Sequence, residues 1–423
     1  MISSSPSLDD GEGAFAFPPK AIILIVQVFY QDGGGYMTAV TAAHNVTTAL
    51  QRAFAGMGVL DPLTGKPLTE AMLLGIGGGL GIGYILWEFK EHGSATIVTG
   101  FRHRWNYTAE SAKRMCDRLN APTDVLETGG AKAAAANLES ALALGSPVPI
   151  WVDKASLPYQ HLPERLKGYG VHVITVHELN QDTALVGDLS ERMREISRAD
   201  LAAARARIGS DKQRVLRITP PTAIDLTAAI RAGIADCVEH LSSPSESFSL
   251  PVLVKWGKML TDTRNKKGWH TVFASRAGLF DTLSSVYEGI RLDDTEGAGL
   301  RDLYADFLDE AAAVLPTAEA AAAYRHAAAC WKEFAACALP ERVPALAKTR
   351  MLLEKRYAAF RNGDNAELSS AIHEFDLLRD AVNADFPMDA AAVSALFEEM
   401  QARLKTVYEA ETAALETLRR LVM

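Results

Sequence analysis

The chain has 423 residues, of which 48% are hydrophobic, a size and composition typical of a folded protein with two or three domains. Its 52 Asp and Glu residues outnumber 43 Lys and Arg residues, so the net charge is −9. This balance argues against a nucleic-acid partner, because binding to phosphates requires a surplus of cations. We expect a small-molecule or protein partner instead.

The composition of the first thirty residues predicts a mobile arm followed by a buried strand. Residues 1–19 are rich in Ser, Pro, Gly and Asp, which is typical of an arm. The apolar run 21–30 has about half the roughly 20 residues that a membrane helix needs. Acidic rather than basic residues precede it, so it does not resemble a signal peptide. We therefore expect a cytoplasmic protein without membrane contact.

A helix is predicted over residues 41–56 from its apolar spacing, and Asn45 would lie near the positive end of that helix. Thr69 is placed to cap a second, short helix. The glycines that follow, between Gly75 and Gly83, match neither GxGxxG nor a P-loop. They favour close backbone packing over nucleotide binding.

Alternating strand and helix patterns continue to about residue 218. Strands are expected at 95–101 and 146–153, and helices at 108–119 and 131–144. The β-branched stretches 171–179 and 183–189 predict an antiparallel hairpin joined by the turn Asn-Gln-Asp. This portion therefore has a mixed α/β character.

From Pro220 onward the pattern is helical almost to the end of the chain. We predict a domain over 20–218 and an all-helical domain over 219–423. The final helix, 389–421, is long enough to contact a partner subunit in a homodimer or to fold back on its own domain.

Two residues of the predicted hairpin suggest proton-transfer chemistry. His172 lies on its first strand, and Asp188 ends its second strand sixteen residues later. In papain-like enzymes such an imidazole, oriented by a carboxylate or amide, serves a thiol at a helix start. A buried histidine bonded to a structural aspartate is the alternative interpretation.

Several further motifs occur in a fixed order between residues 20 and 215. They are His44-Asn45, Thr69-Glu70-Ala71-Met72, the glycines from Gly75 to Gly79, the strand from Pro147 to Asp153, Leu157-Pro158-Tyr159, His172 and Asp188. This series resembles the family of the N-terminal domain of butirosin biosynthesis protein H, an acyltransferase-type relative of papain-like peptidases. The segment 294–312 resembles the helical domain of unknown function that often follows it.

The resemblance implies an α+β fold with a papain-like N-terminal domain, a mixed or antiparallel sheet, and an all-α C-terminal domain. It also implies a nucleophilic cysteine at the position that Asn45 occupies. An amide cannot form an acyl-enzyme, and Thr47 or Thr48 would need a base within reach to replace the thiol. The cysteines, Cys116 among them, lie on predicted helices far in sequence from the pocket and contain no CxxC pair.

Three hypotheses of function follow. The first is non-covalent acid/base catalysis without a cofactor, by condensation, cyclisation or hydrolysis, in which His172 moves protons, Asp188 orients it and Asn45 holds a carbonyl. The second is direct attack of an amine on a bound thioester, such as one on a carrier protein. The third is a non-catalytic scaffold. We prefer the first because both His172 and Asp188 are present.

The remaining candidates are residues that could bind substrate: His44, Glu70, Arg104, Asp153 and Tyr159. Each also has a structural interpretation, since Glu70 could belong to a helix cap and Tyr159 to loop packing. A metal site built from His103, His161 and His177 is not supported, because no metal-binding spacing such as HExxH is present.

Overall fold

The computed structural model describes residues 43–89, 94–292, 295 and 297–422. The predicted arm, the strand at 21–30 and the first residues of the helix expected at 41–56 lie outside the described residues. The described residues belong to one compact unit, and they combine helices with antiparallel sheets, so the α+β class is confirmed.

The first half of the chain contains both helices and strands. Its helices are α1 (Asn45–Gly56), α2 (Glu70–Ile76), α3 (Thr108–Arg118), α4 (Ala131–Leu142) and α5 (Arg198–Ala206). Its strands are β1 (Leu80–Phe89), β2 (Ser94–Arg102), β3 (Thr123–Leu126), β4 (Val148–Asp153), β5 (Val171–Leu179), β6 (Thr183–Gly187), β7 (Arg194–Ser197) and β8 (Val215–Ile218).

Six of these strands form one sheet in the order β3-β8-β4-β5-β6-β7, with every neighbouring pair antiparallel. Strand β4 is buried along its whole length, as its apolar sequence predicts. It pairs with β5 so that Val152 lies opposite His172. Strands β5 and β6 form the predicted hairpin, and its register brings the beginning of β5 near the end of β6.

Strands β1 and β2 form a separate two-stranded hairpin that explains the glycine-rich sequence. A Cβ atom on Gly83 would come within 2.2 Å of the Trp105 indole, and one on Gly100 within 2.1 Å. Gly75, at the end of α2, is equally close to Phe307. These glycines therefore permit close packing, since any side chain there would collide with an aromatic ring.

The described residues beyond Ile218 contain only helices as regular elements. They are α6 (Leu226–Ser242), α7 (Pro251–Thr261), α8 (Trp269–Val272), α9 (Leu279–Arg291), α10 (Arg301–Ala311), α11 (Ala318–Ala338), α12 (Pro344–Asn362), α13 (Asn365–Ala384) and α14 (Ala390–Val422). The long helix α14 packs on α11 and α7 of its own chain. Within the described ranges, no helix is long and apolar enough to cross a bilayer.

Two hydrophobic cores hold these elements together. One lies on the six-stranded sheet and includes Ile150, Ile174 and Val186. The other joins α1, α2 and the β1–β2 hairpin to the helices that follow Ile218. Because these apolar side chains are buried together, the first helices of the chain pack against helices that follow residue 218.

Candidate active site

Helix α1 begins at Asn45, and His44 precedes it in an extended conformation. Four hydrogen bonds from this region converge on the carboxylate of Glu70, which is 0% exposed. The donors are the backbone N–H groups of Ala43 and His44, at 2.9 and 3.1 Å, and the hydroxyls of Thr47 and Thr48, at 2.8 and 2.7 Å. A buried carboxylate near a helix N-terminus is also favoured by the helix dipole.

Glu70 is itself fixed by the helix that it starts. The Thr69 side chain accepts a hydrogen bond from the N–H of Met72, so Thr69 caps α2 as the sequence predicts. The two helix starts are therefore connected through one buried carboxylate. The structure places Glu70 beneath the backbone of residues 43 and 44, where it positions Asn45.

His172 and Asp188 form a buried pair across the β5–β6 hairpin. The distance from His172 Nε2 to Asp188 Oδ1 is 2.6 Å, and their side chains are 2% and 0% exposed. The antiparallel register accounts for this contact, because it brings residues at opposite ends of the hairpin sequence together. The hairpin therefore supplies both the imidazole and its carboxylate.

Asp188 accepts three further hydrogen bonds. They come from the Tyr159 hydroxyl at 3.0 Å, the Gln160 side chain at 3.0 Å and the backbone N–H of Leu189 at 2.7 Å. Burial alone would raise the pKa of Asp188, but His172 and the Leu189 N–H outweigh it and hold that pKa well below its usual range. The carboxylate is therefore ionised and fixed in orientation.

Tyr159 acts on the imidazole through Asp188. Burial, reinforced by the neighbouring Asp188, raises the pKa of Tyr159 well above its usual value, so its hydroxyl remains a donor. The ring stacks on Phe360 of α12, with 6.5 Å between centroids, and the Arg194 guanidinium lies 5.5 Å from its centre. The structure thus brings Tyr159 to the site as a support for the carboxylate.

Arg52 of α1 connects the helix to the end of β6. Its Nη2 donates to the backbone oxygens of Asp188 and Ser190, at 2.9 and 3.0 Å. The element that carries Asn45 is therefore joined directly to the segment that carries Asp188. This contact fixes the distance between the helix start and the hairpin.

Asn45 faces the other nitrogen of the His172 ring, with Nδ2 of Asn45 3.4 Å from Nδ1 of His172. In this orientation the amide donates to Nδ1, which leaves the ring proton on Nε2, where it bonds to Asp188. The ring is then neutral with its lone pair directed at Asn45. A hydrogen bond of this length is weak, so a stronger donor can displace the amide.

Two cavities border this pair. The larger, about 770 Å³, is lined by His44 and Asn45 together with residues of β2 and the following loop, including Arg102. The smaller, about 330 Å³, is lined by His172 and Gln160 and by Glu288, Arg356 and Phe360 from helices α9 and α12. Tyr169 and Gly170 line both cavities.

Of the five predicted binding residues, His44 lines a cavity, whereas Glu70, Tyr159, Arg104 and Asp153 line neither. Arg104 is exposed, with its Nη1 3.9 Å from Glu110 Oε2. Asp153 is 0% exposed and accepts a hydrogen bond from Ser156 at 2.6 Å. In place of Arg104, the structure brings Arg102, the last residue of β2, to the larger cavity. Arg104 lies in the loop after β2, where a positive φ of 48° turns the backbone away from the strand conformation.

The alternative nucleophiles are not directed at His172. The hydroxyls of Thr47 and Thr48 both donate to Glu70. The four cysteines are unpaired and buried. Burial raises the pKa of the Cys116 thiol, which keeps it protonated and unreactive.

The histidines considered for a metal site are dispersed. His103 packs against His240 with 4.6 Å between ring centroids, His161 is exposed, and His177 contacts Thr175. Across the described ranges, no group of three or more His, Cys, Asp or Glu side chains is arranged to hold a metal ion.

Several residues of the site were missed by sequence reasoning. Gln160 directly follows the predicted Tyr159, and its position in that motif could have identified it. Arg52 lies two turns after Asn45 on the same helix, yet the sequence does not show what it contacts. The helical residues Glu288, Arg356 and Phe360 gave no signal, because they reach the site only through tertiary packing.

Comparison with known families agrees with the predicted resemblance. Residues 44–189 match the family described as butirosin biosynthesis protein H, N-terminal. Residues 199–345 match the family described as a domain of unknown function (DUF4872). These matches support the predicted family resemblance and the order of its two segments. No curated protein matches the chain.

Proposed function

We propose that this chain, which is similar over residues 44–189 to the N-terminal domain of butirosin biosynthesis protein H, is a biosynthetic enzyme that joins an amine to a carbonyl compound. The family supports a biosynthetic, acyltransferase-like role. The observation that carries the proposal is the buried His172–Asp188 pair, with Nδ1 of His172 directed at Asn45.

In the proposed mechanism His172 is the general base and then the general acid. Nδ1 accepts the proton of the attacking amine as the nitrogen bonds to the carbonyl carbon, and the carbonyl electron pair moves to oxygen. Asp188 stabilises the imidazolium that forms, as a buried carboxylate does in hydrolase triads. In acyl transfer the imidazolium returns this proton to the departing thiolate as the oxyanion forms the carbonyl again. In a condensation it first protonates the oxyanion to give a carbinolamine. Nδ1 then takes the remaining proton from the nitrogen and delivers it to the hydroxyl, which leaves as water as the C=N bond forms.

We assign to Asn45 the role of holding the carbonyl oxygen. Once the amine displaces the amide from Nδ1, the Nδ2 donors of Asn45 can turn toward the developing oxyanion. The backbone N–H groups at the start of α1 add favourable charge there. In this proposal Asn45 occupies the place of the family's nucleophilic cysteine, so no acyl-enzyme forms.

We also propose a papain-like arrangement for the N-terminal portion and an all-α domain after it. In support, α1 packs on β5, so a helix start and a strand histidine meet as they do in papain-like enzymes. The described residues from 226 to 422 carry helices as their only regular elements.

The two cavities favour a reaction of two organic substrates over hydrolysis. Asn45 borders one cavity and His172 the other, so a carbonyl compound and an amine can approach the pair from different sides. Water alone would need no second cavity of about 330 Å³.

Acyl transfer by direct attack of an amine on a bound thioester is the second candidate. The family match favours it, and it uses the same residues in the same roles. The non-catalytic alternative receives no comparable support, because Asn45 and His172 are in contact rather than separated by apolar side chains.

The test is product formation from acyl thioesters or α-keto acids with a panel of amines, followed by mass spectrometry. We expect His172→Ala to lose activity by about 10²–10⁴-fold. His177→Gln is the matched control, since His177 lies on the same strand but lines neither cavity. Equal activity in wild type and His172→Ala would exclude this role for His172.

A further inference from the structure

His44 is a second imidazole at the site, and its backbone is held from both directions. Its N–H donates to Glu70 Oε1 at 3.1 Å, and its carbonyl accepts from the Thr48 N–H at 2.8 Å and the Thr47 hydroxyl at 3.1 Å. Its extended backbone angles are those of the residue that precedes a helix. The ring therefore projects from a fixed point beside Asn45.

The His44 ring borders the larger cavity and is 7% exposed. Its Nδ1 is buried and has no hydrogen-bond partner among the described residues. Leaving such a polar atom unsatisfied destabilises the protein, because the atom loses its hydrogen bond to water on burial. In a native site, an uncompensated atom of this kind calls for an explanation such as a ligand.

The surroundings of His44 decide its charge. Burial, then the Arg102 cation and the nearby His172 ring, hold the pKa of His44 well below its usual value. Arg102 is 2% exposed and is fixed by donation to the backbone oxygens of His103 and Trp105, at 2.9 and 3.0 Å. His44 is therefore neutral near pH 7 and offers one N–H donor.

This combination favours an oxygen atom that carries partial negative charge. A neutral imidazole donates to a carbonyl oxygen without the desolvation cost of a buried cation. Triosephosphate isomerase uses a neutral histidine in this way, with its pKa lowered at a helix N-terminus. The helix start at Asn45 and the cation of Arg102 add a positive potential at the same place.

We propose that the His44 imidazole donates a hydrogen bond to the carbonyl oxygen of a substrate in the larger cavity, so that the ligand of this cavity is a carbonyl compound. Because Nδ1 of His44 bonds to none of the described residues, the protein does not fix the tautomer of the ring there, and the ring can direct its N–H at that oxygen. His44 and Asn45 then contact the same carbonyl, and the amine enters from the side of the smaller cavity.

The inference rests on the proposed function, because that function places the substrate carbonyl beside Asn45. It can nevertheless be tested by measuring the binding of a carbonyl compound, without any turnover. The probes are S-acetyl-N-acetylcysteamine and pyruvate, each labelled with ¹³C at its carbonyl and measured by isotope-edited infrared spectroscopy. With wild-type protein we expect the carbonyl band of at least one probe to move to lower wavenumber on binding. The probe that responds distinguishes a thioester from a keto acid.

Three variants make the test specific. His44→Phe removes the donor, so it should abolish the shift and weaken binding roughly tenfold. His44→Gln retains a side-chain donor and should recover part of the shift, which a merely structural role would not predict. His177→Gln should behave as wild type. Thermal melting of each variant identifies any loss of folding.

The proposal would be overturned if folded His44→Phe shifted the carbonyl band of the bound probe as much as wild type does. It would also be overturned if wild type gave no signal from a bound carbonyl. These results are separate from a failure of the proposed function. If His172→Ala retained turnover while His44→Phe lost the band shift, His172 would not be the base and the carbonyl site would still stand.

Discussion

Asn45 and His172 are 127 residues apart in the chain, yet Nδ2 of one lies 3.4 Å from Nδ1 of the other. The contact joins a helix start to a strand, and the orientation of the amide belongs to a neutral imidazole. If His172 gained a second proton, two donors would face each other, and the Asn45 amide would have to turn to present its oxygen. The amide orientation and the ring protonation are therefore coupled.

Replacing Asp188 with Asn should impair catalysis more than substrate binding. The variant keeps the size of the side chain but removes the charge that orients and stabilises the imidazolium. We expect kcat to fall by about 10²–10⁴-fold with little change in KM, measured by product formation. Asp182→Asn, in the exposed turn of the same hairpin, is the matched control.

The same variant has a pH signature in stability. Because the folded protein depresses the pKa of Asp188, this residue contributes stability above its unfolded pKa of about 4 and loses it as the pH falls. The gap in Tm between wild type and Asp188→Asn should therefore be large at pH 7 and narrow toward pH 3. A gap that widened in acid would contradict the depressed pKa.

Asn45→Cys should introduce a thiol that forms an acyl-enzyme. The new sulfur would lie at the start of α1 beside Nδ1 of His172, and both the helix dipole and the imidazole favour thiolate. Intact-protein mass spectrometry after incubation with acyl thioesters should show the added acyl mass. Asn45→Ala should show none, since it contains the same buried native cysteines.

Glu70→Gln should destabilise the protein by about 3 kcal/mol, because an amide cannot accept all four buried hydrogen bonds that reach the carboxylate. Denaturant titration measures the loss. For comparison, Glu164→Gln disrupts only the exposed contact with Lys167 and should change stability by less than about 1 kcal/mol. Equal effects from the two variants would argue against a central role for Glu70.

The contribution of Glu310 to stability should have the opposite pH dependence to that of Asp188. Its Oε2 accepts from the Thr69 hydroxyl at 2.8 Å. Burial raises its pKa to about 7, opposed by the Thr69 hydrogen bond and assisted by Asp61 and Asp306. The folded state then keeps the proton to higher pH than the unfolded state, so stability falls as pH rises from about 4 to about 7.

Glu310→Gln removes this titration. Between pH 5 and pH 8 its Tm should fall less than that of wild type, whereas Glu195→Gln, at an exposed position, should follow wild type. Parallel curves for wild type and Glu310→Gln would show that Glu310 does not titrate in this range.

The sequence predicted the His172–Asp188 pair because a hairpin with a short turn brings the ends of its strands together. It did not predict Glu70 as the support of α1, because that contact depends on how two helices pack. The sequence indicated Arg104 as a binding residue and did not indicate Arg102, because the direction of each side chain at the end of β2 is set by the folded backbone. The helical wall of the smaller cavity depends on contacts between residues more than 100 positions apart, which local patterns do not encode.

The His172–Asp188 pair and position 45 are held in place by different contacts. The hairpin holds the imidazole and its carboxylate, whereas Glu70 and Arg52 hold the helix start that presents position 45. Substitution at position 45 can therefore change the side chain that faces His172 without disturbing the His172–Asp188 pair. If the proposed mechanism holds, carbonyl binding and proton transfer are supported by different elements of the fold, and one substitution at position 45 could exchange non-covalent for covalent catalysis.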